Sequence, residues 1–268
     1  MISLTEFLVK FNNIIKDNIR GVTDANGAAD GSSFIDSNLS SYSDFYFGDP
    51  ERDTRWQAYI GTQLRIIKES HTDGVLIVHK PFSAQILANT AYEIHRYDRN
   101  EKINAVNEAL SKAYPWFYKK LEDESLVGTV SNEYALPAGF TEYPNQIWVK
   151  YVDGDDITYR EVSSYFFKDN KFYASIPFGH SILLIGMTTL TPFGADDSVT
   201  ELTDPQADVV CLLAASILFR KMSIVVSADD SGRFDSLSLR YEERWEREKL
   251  RKQMPFLLPG KIDFGWLK

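Results

Sequence analysis

Metal or nucleophilic chemistry in this chain would have to be built from four histidines, His71, His79, His95 and His180, and one cysteine, Cys211. Zinc sites use His and Cys pairs at short helical or knuckle spacings. No H-x-x-x-H and no such His/Cys pairing occurs here. His79 and His95 fall on separate predicted strands and would form a site only if the fold brought them together; ordinary strand residues are the better reading. Cys211 stands in Val209-Val210-Cys211-Leu212-Leu213, where a thiol behaves as a small buried hydrophobe. A Cys/His nucleophile pair would need that thiol accessible. Asp153, Asp155 and Asp156 offer oxygen ligands to a hard cation, but the spacing and distal Glu of an EF-hand loop are missing, so a hairpin turn is favoured. Asp49, Glu51 and Asp53 read as a solvated loop in the same way. Tyr42, Phe45, Tyr46 and Phe47 offer rings for base stacking, yet no basic residues interleave them, which favours strand core. There is no Gly-x-Ser-x-Gly elbow and no glycine loop of the Walker or dinucleotide type. The reading is therefore no catalytic residue, no metal ligand set, no cofactor site, and no enzyme.

Composition points the same way. The 268 residues are 44% apolar and 25% charged, enough to bury a sizeable core in a water-exposed protein. A net charge of −9 argues against a broad grip on nucleic-acid phosphates, which needs a Lys/Arg excess. A single cysteine allows no intrachain disulfide and fits a reducing cytoplasm. Met1-Ile2-Ser3-Leu4 has neither a basic region nor a cleavage pattern, so no signal peptide is expected. No stretch approaches the ~20 apolar residues of a membrane helix, and no membrane partner is expected.

The elements that must position these residues follow from periodicity. Leu4, Phe7, Leu8, Phe11, Ile14 and Ile15 form one stripe, with Ser3 and Glu6 as a capping box, predicting a helix that ends near Arg20-Gly21. Thr23 to Ser33 is polar and rich in Gly, Ala and Asp, predicting a linker or loop with nothing to bury. From Phe34 to Asp98 the period is two, predicting a meander of about five strands, with Asp73-Gly74 as the best hairpin turn. A helix follows from about Asn100, capped by Asp98 and Glu101 and disturbed at Pro115. Glu122 to Asn132 reads as a polar connection. Strands are then predicted over Glu133–Leu136, Gln146–Val152, Ile157–Val162, Tyr165–Phe167, Phe172–Ile176 and Ile182–Met187.

Thr203-Asp204-Pro205-Gln206 starts a helix that is apolar nearly all round and so buried. Asp229-Asp230-Ser231-Gly232 is expected to break it. A last helix over roughly Arg233–Gln253 carries a narrow stripe of Phe234, Leu237, Tyr241 and Trp245. The pattern predicts an α+β fold: a helical core (N-terminal helix, middle helix, two C-terminal helices) with two inserted antiparallel β modules and an extended C-terminal arm. The segments are an N-terminal helix over 1–20, a linker over 21–33, a first β module over 34–98, a core helix over 99–123, a second β module over 124–199, C-terminal helices over 200–253 and the arm over 254–268.

The arm carries the strongest functional signal. Phe256, Leu257, Leu258, Ile262, Phe264, Trp266 and Leu267 sit among Pro259, Gly260 and Gly265, which makes an apolar but non-helical segment. Such a segment must be covered, either by its own core or by a neighbouring subunit through exchange of terminal segments. These seven residues are the candidate partner interface.

The order of segments resembles the head-to-tail connector (adaptor, or neck) proteins of tailed bacteriophages. The resemblance is carried by Phe34-Ile35-Asp36-Ser37-Asn38-Leu39 followed by Asp44-Phe45-Tyr46-Phe47-Gly48, and by Gly74-Val75-Leu76-Ile77-Val78 with Pro81-Phe82-Ser83 and Ala91-Tyr92-Glu93-Ile94. Val106-Asn107-Glu108-Ala109-Leu110 with Tyr114-Pro115, then Tyr134-Ala135-Leu136-Pro137, and last Leu202-Thr203-Asp204 with Leu212-Leu213-Ala214-Ala215 continue it. The resemblance implies a virion structural protein made in the host bacterial cytoplasm and placed in the neck. It implies a homo-oligomeric ring, a dodecamer, that contacts the portal protein and a tail or lower-neck protein, lines the exit channel and lets double-stranded DNA pass during genome ejection. The alternative is another structural protein of tail completion or of the baseplate.

Overall fold

The computed structural model describes residues 1–44, 46–48, 56–140, 142–194, 198–225 and 228–254. In chain order they form β1 (Ile2–Ser3), α1 (Leu4–Ile15), β2 (Ile19–Val22), β3 (Ser33–Ile35), a 3-10 turn (Ser37–Ser41), β4 (Gln57–Ile60), β5 (Gln63–Ser70), β6 (Val75–Val78), β7 (Ala91–His95) and α2 (Arg99–Lys112). There follow β8 (Lys119–Val127), β9 (Glu133–Ala135), β10 (Gln146–Asp153), β11 (Asp156–Glu161), β12 (Tyr165–Lys168), β13 (Lys171–Ala174), β14 (Ser181–Thr188), β15 (Val199–Thr200), α3 (Asp204–Val225) and α4 (Ala228–Lys252). The predicted architecture, a helical core with inserted β modules, is not what forms. Among the described residues the fold is sheet-rich: fifteen strands in four sheets and four helices, with the six-stranded sheet curled into a half-barrel. The physical reason lies in the cores. Two clusters of buried side chains, one around Phe34, Ile67 and Ile94 and one around Ile147, Phe172 and Leu184, contain no α-helical residue, so sheets close over cores of their own.

The chain divides into two units. One comprises Thr5–Val106 and Ala214–Tyr241 and holds the six-stranded sheet, in the order β2-β7-β4-β5-β6-β3, antiparallel throughout. The stripe of α1 ends at Ile15, not near Arg20. Lys16 adopts the left-handed conformation (φ 55°) and the Asp17 N–H donates to Asn12 O at 3.0 Å, which closes the helix. That frees Ile19–Val22 to pair with Ala91–Ile94 as an edge strand. Of the two readings of Thr23 to Ser33 the loop is what forms, but it is a packed loop and does bury residues. Thr23 is buried and its Oγ1 donates to Leu87 O at 2.7 Å, while Gly27 N donates to Ile86 O and Ala88 N to Asn26 Oδ1. The predicted Asp73-Gly74 turn forms between β5 and β6. Gly74 takes φ +82°, and a Cβ there would lie 2.2 Å from Asp36 O, so glycine is required twice over. Phe34 anchors this core between Tyr92 and Phe82, with ring centroids 5.1 and 6.4 Å away.

The second unit comprises Met1–Leu4, Asn107–Leu213 and the described residues from Glu242 on. It holds a four-stranded sheet ordered β11-β10-β14-β8, a three-stranded sheet ordered β12-β13-β9 and the short pair β1-β15. All six strands predicted here form, each within two residues of its predicted ends. The predicted core helix over 99–123 ends at Lys112, and its last residues join the first half of the predicted polar connection over Glu122 to Asn132 in a strand: Lys119–Val127 is β8, paired with β14 across a register shift between Ile182 and Leu184. The predicted start of α3 is capped as its residues require, with the Thr203 N–H and Oγ1 both directed at Gln206 Oε1 (2.9 and 2.8 Å). Residues 228–232 lie inside α4, so the expected break does not fall on Asp229–Gly232. No helix among the described residues is long and apolar enough to cross a membrane.

Candidate functional site

A dense cluster of ionisable side chains lies in the half-barrel unit. The reversal after α1 delivers Asp17, β7 ends by delivering His95, and the first turn of α2 delivers Lys102. Lys102 Nζ lies 2.6 Å from Asp17 Oδ2, and both side chains are almost wholly buried. Asn12 Oδ1 accepts from the same ammonium at 2.8 Å, and His95 Nδ1 is 3.2 Å away. The Asp17 carboxylate also accepts from the backbone N–H groups of Arg96 and Tyr97. His95 sets Nδ1 2.7 Å from the Asp17 carbonyl oxygen and Nε2 3.0 Å from a Glu93 oxygen, and Arg20 Nε meets the other Glu93 oxygen at 2.8 Å. A cavity of about 150 Å³ opens beside these groups, with Tyr59 and Arg99 in its wall.

The electrostatics describe a joint. Burial lowers the Lys102 ammonium, and the Asp17 charge opposes that shift. Burial, then the charge of Asp98, pushes the Tyr59 phenol up to about 12, so it stays protonated at neutral pH. Lys102 is matched by Asp17 and Arg20 by Glu93. The arrangement ties the end of α1 to the end of β7 and the start of α2. It holds no metal-ligand cluster among the described residues. His79 does not join it: β4 and β5 lie between β6, which His79 follows, and β7, which His95 ends.

Asp153, Gly154, Asp155 and Asp156 are the turn of the β10–β11 hairpin, with Asp153 opposite Asp156 and Gly154 at φ 61°. Tyr42, Tyr46, Phe47 and Trp56 make a ring cluster with centroid separations of 4.7–5.9 Å, while Phe45 lies outside the described residues. Asp49, Glu51 and Asp53 also lie outside them. Cys211 is buried on α3. The seven arm residues, Phe256, Leu257, Leu258, Ile262, Phe264, Trp266 and Leu267, fall outside the described residues too.

What sequence reasoning missed is a pair of apolar surfaces on the second unit. In the β10–β11 hairpin, Val152 (63% exposed) pairs with Ile157 (55%), and Lys150 pairs with Tyr159 (40%). Every residue of β11 is exposed. On the neighbouring sheet Phe166 and Tyr173 stack at 4.7 Å and 7°, beside an open groove of about 1010 Å³ that also borders Phe167 and Lys168 on the edge strand β12. The signal was present: in Gln146–Asp153 apolar residues occupy both parities, which a sheet with one face in water does not need. No protein-family model matches this chain, and no curated protein matches it.

Proposed function

We propose that this chain is a structural subunit of a phage virion that assembles as a ring in the neck, joins the portal of the head to the tail and lines the channel through which DNA leaves. The observation that carries the reading is the apolar surface presented on the β10–β11 hairpin and at the Phe166–Tyr173 stack; β10, β12 and β13 already fill a core with their opposite faces, and β11 is exposed throughout. Stiff ribbons with an apolar outer side are parts for association. The order of sequence motifs supplies the neck as the place of assembly. The net charge of −9 suits a wall past which DNA must slide without fixed phosphate contacts. The buried Asp17–Lys102 joint serves in this reading to stiffen the half-barrel, and not as a reactive centre. In the assembly the arm residues from Phe256 to Leu267 engage the portal or the next subunit.

The test uses portal-containing heads that lack tails. Purified full-length protein is added, and the particles are imaged by electron cryomicroscopy. Ring density at the portal vertex is the expected result, together with its loss when the chain is cut before Pro255 while the circular dichroism of the truncated protein stays native. Density at the tail tip in complete particles would assign the chain to the baseplate instead. Truncated protein that still completes infectious particles at normal yield would remove the arm from the assembly.

A further inference from the structure

We infer that the β10–β11 hairpin of one copy docks on the C-terminal half of α4 of the next copy, a head-to-tail contact between two different surfaces of the same chain. The inference deepens the ring-forming function proposed above and rests on it for the closure of the assembly.

The hairpin leaves Val152 and Ile157 more than half exposed and ends in an acidic tip, while Tyr159 is held at its base by Lys150 and Glu124. Six consecutive residue pairs, from Trp148↔Glu161 to Asp153↔Asp156, run in register without a bulge, so the ribbon is stiff. Its solvent side is apolar at Val152, Ile157 and Tyr159, and its tip is acidic. Residues 151–159 include three aspartates and no cation. On that side Lys150 is already paired with Glu124 at 2.8 Å, and on the other side of the ribbon Arg160 lies over the Tyr151 ring at 4.8 Å. DNA would be repelled by this tip, and an apolar partner alone would leave its carboxylates unmatched.

α4 offers the complement. One side of its C-terminal half is fixed: Trp245 is buried against Phe117, and Lys249 lies over the Trp116 ring at 4.8 Å. The other side carries Arg247, Leu250 and Arg251, spaced three and four residues apart and therefore on one face. Leu250 is 58% exposed, and both guanidinium side chains are more than 60% exposed. Arg247 and Arg251 share one carboxylate, Glu248, at 3.6 and 3.3 Å, which leaves the face with a net positive charge. An exposed leucine between cations matches an apolar ribbon that ends in aspartates. Both surfaces are exposed in the same chain, so neither covers the other within one copy. A contact between two unlike patches propagates from copy to copy and closes into a ring when the rotation allows.

Charge reversal tests the contact in full-length protein by sedimentation at low salt. Asp155→Lys/Asp156→Lys places lysines against the arginines, and Arg247→Glu/Arg251→Glu places glutamates against the aspartates. Each variant alone should lose at least about tenfold in self-association, since like charges face each other. Mixed one to one, they should associate again, because every hairpin then meets a helix of opposite charge. Native circular dichroism for both variants separates this from misfolding. Variants that associate like the wild type, or a mixture that does not recover, would overturn the inference. Should the wild type sediment as a monomer, Asp155→Cys/Leu250→Cys is oxidised mildly, and the result expected is a ladder of disulfide-linked oligomers; its absence also overturns the inference. Head binding that survives charge reversal would retire this interface and leave the neck function standing. Association without head binding would do the opposite.

Discussion

Replacing Asp17 by Asn should be among the most damaging single changes in the half-barrel unit, and its cost should depend on pH in a way that simple loss of packing does not. In the wild type, Lys102 Nζ meets Asp17 Oδ2 at 2.6 Å and Asn12 Oδ1 at 2.8 Å, with both charged side chains removed from water. Asp17→Asn keeps the shape and leaves the ammonium without its anion. Breaking a buried pair from one side costs about 3–5 kcal/mol. An independent bound comes from proton release: a lysine that ordinarily titrates at 10.5 can neutralise at pH 7 for roughly 3.5 units at about 1.4 kcal/mol each, or about 5 kcal/mol. The two figures agree, so the variant should escape by deprotonating Lys102 in the folded state. The unfolded state then binds one more proton than the native state, and stability rises with pH by about 1.4 kcal/mol per unit relative to wild type up to the ordinary lysine value. Lys102→Met should cost less, about 3 kcal/mol, because the Asp17 carboxylate retains the backbone N–H groups of Arg96 and Tyr97. The double variant should recover much of the loss. Urea unfolding followed by circular dichroism at pH 7, 8 and 9 measures all three. A cost below about 1 kcal/mol for Asp17→Asn, or a pH slope equal to that of the wild type, would refute the reasoning.

Two further outcomes follow from single positions. Burial pushes the Glu201 carboxyl up, but hydrogen bonds from Thr191 Oγ1 (2.6 Å) and Thr191 N, with Lys119 at 3.1 Å, outweigh it and hold the group at about 2. A depressed carboxyl contributes stability above its unfolded value of 4.5 and loses it as pH falls toward 2, so the melting temperature of Glu201→Gln should fall less steeply than that of the wild type across that window. Gly74→Ala should cost at least about 1–3 kcal/mol from its positive φ alone, and more from the close approach to Asp36 O, whereas Gly154→Asn, at φ 61° with open space around it, should shift the urea midpoint little.

The sequence showed the strands of the second unit well because their turns are chemically explicit. Asp169 and Asn170 take φ 52° and 59°, the pair that a two-residue hairpin turn demands, and Lys168 pairs with Lys171 across them. It misjudged β8 because Lys119–Val127 holds a run of charged residues; only pairing with β14 makes that run a strand, with Lys120, Glu122 and Glu124 on the exposed parity and Lys119 and Asp123 half-buried beside Leu121. It ran α1 too far because Ile19 continues the apolar stripe, whereas the reversal at Lys16 is a local backbone event with no pattern of its own. The fold class failed for a related reason. Strand and helix segments were recognised one by one, but which of them own a core is a tertiary fact, and here the sheets do. Of the site, the acidic turn was legible. The apolar outer side of the hairpin was hidden because Ile147, Val149 and Tyr151 of the opposite parity already explained the strand.

That outer side permits one separation of folding from association. Val152 and Ile157 face each other across the ribbon at 63% and 55% exposure and gain little on folding of the single chain, and Tyr159, 40% exposed, adds only surface contacts with Lys150 and Glu124. Replacing all three by Thr keeps residues suited to a pleated surface and removes the apolar contact area. If the side is an interface, unfolding free energy of the monomer should change by less than about 1 kcal/mol, since exposed substitutions of this kind are near neutral, while self-association should fall as it does on charge reversal. If the side instead supports the four-stranded sheet, stability should drop by more than about 2 kcal/mol and association should follow only through misfolding. Urea unfolding and sedimentation on the same samples decide between the two. The first outcome is expected, because Ile147 and Val149 already fill the core on the other side of the same strand.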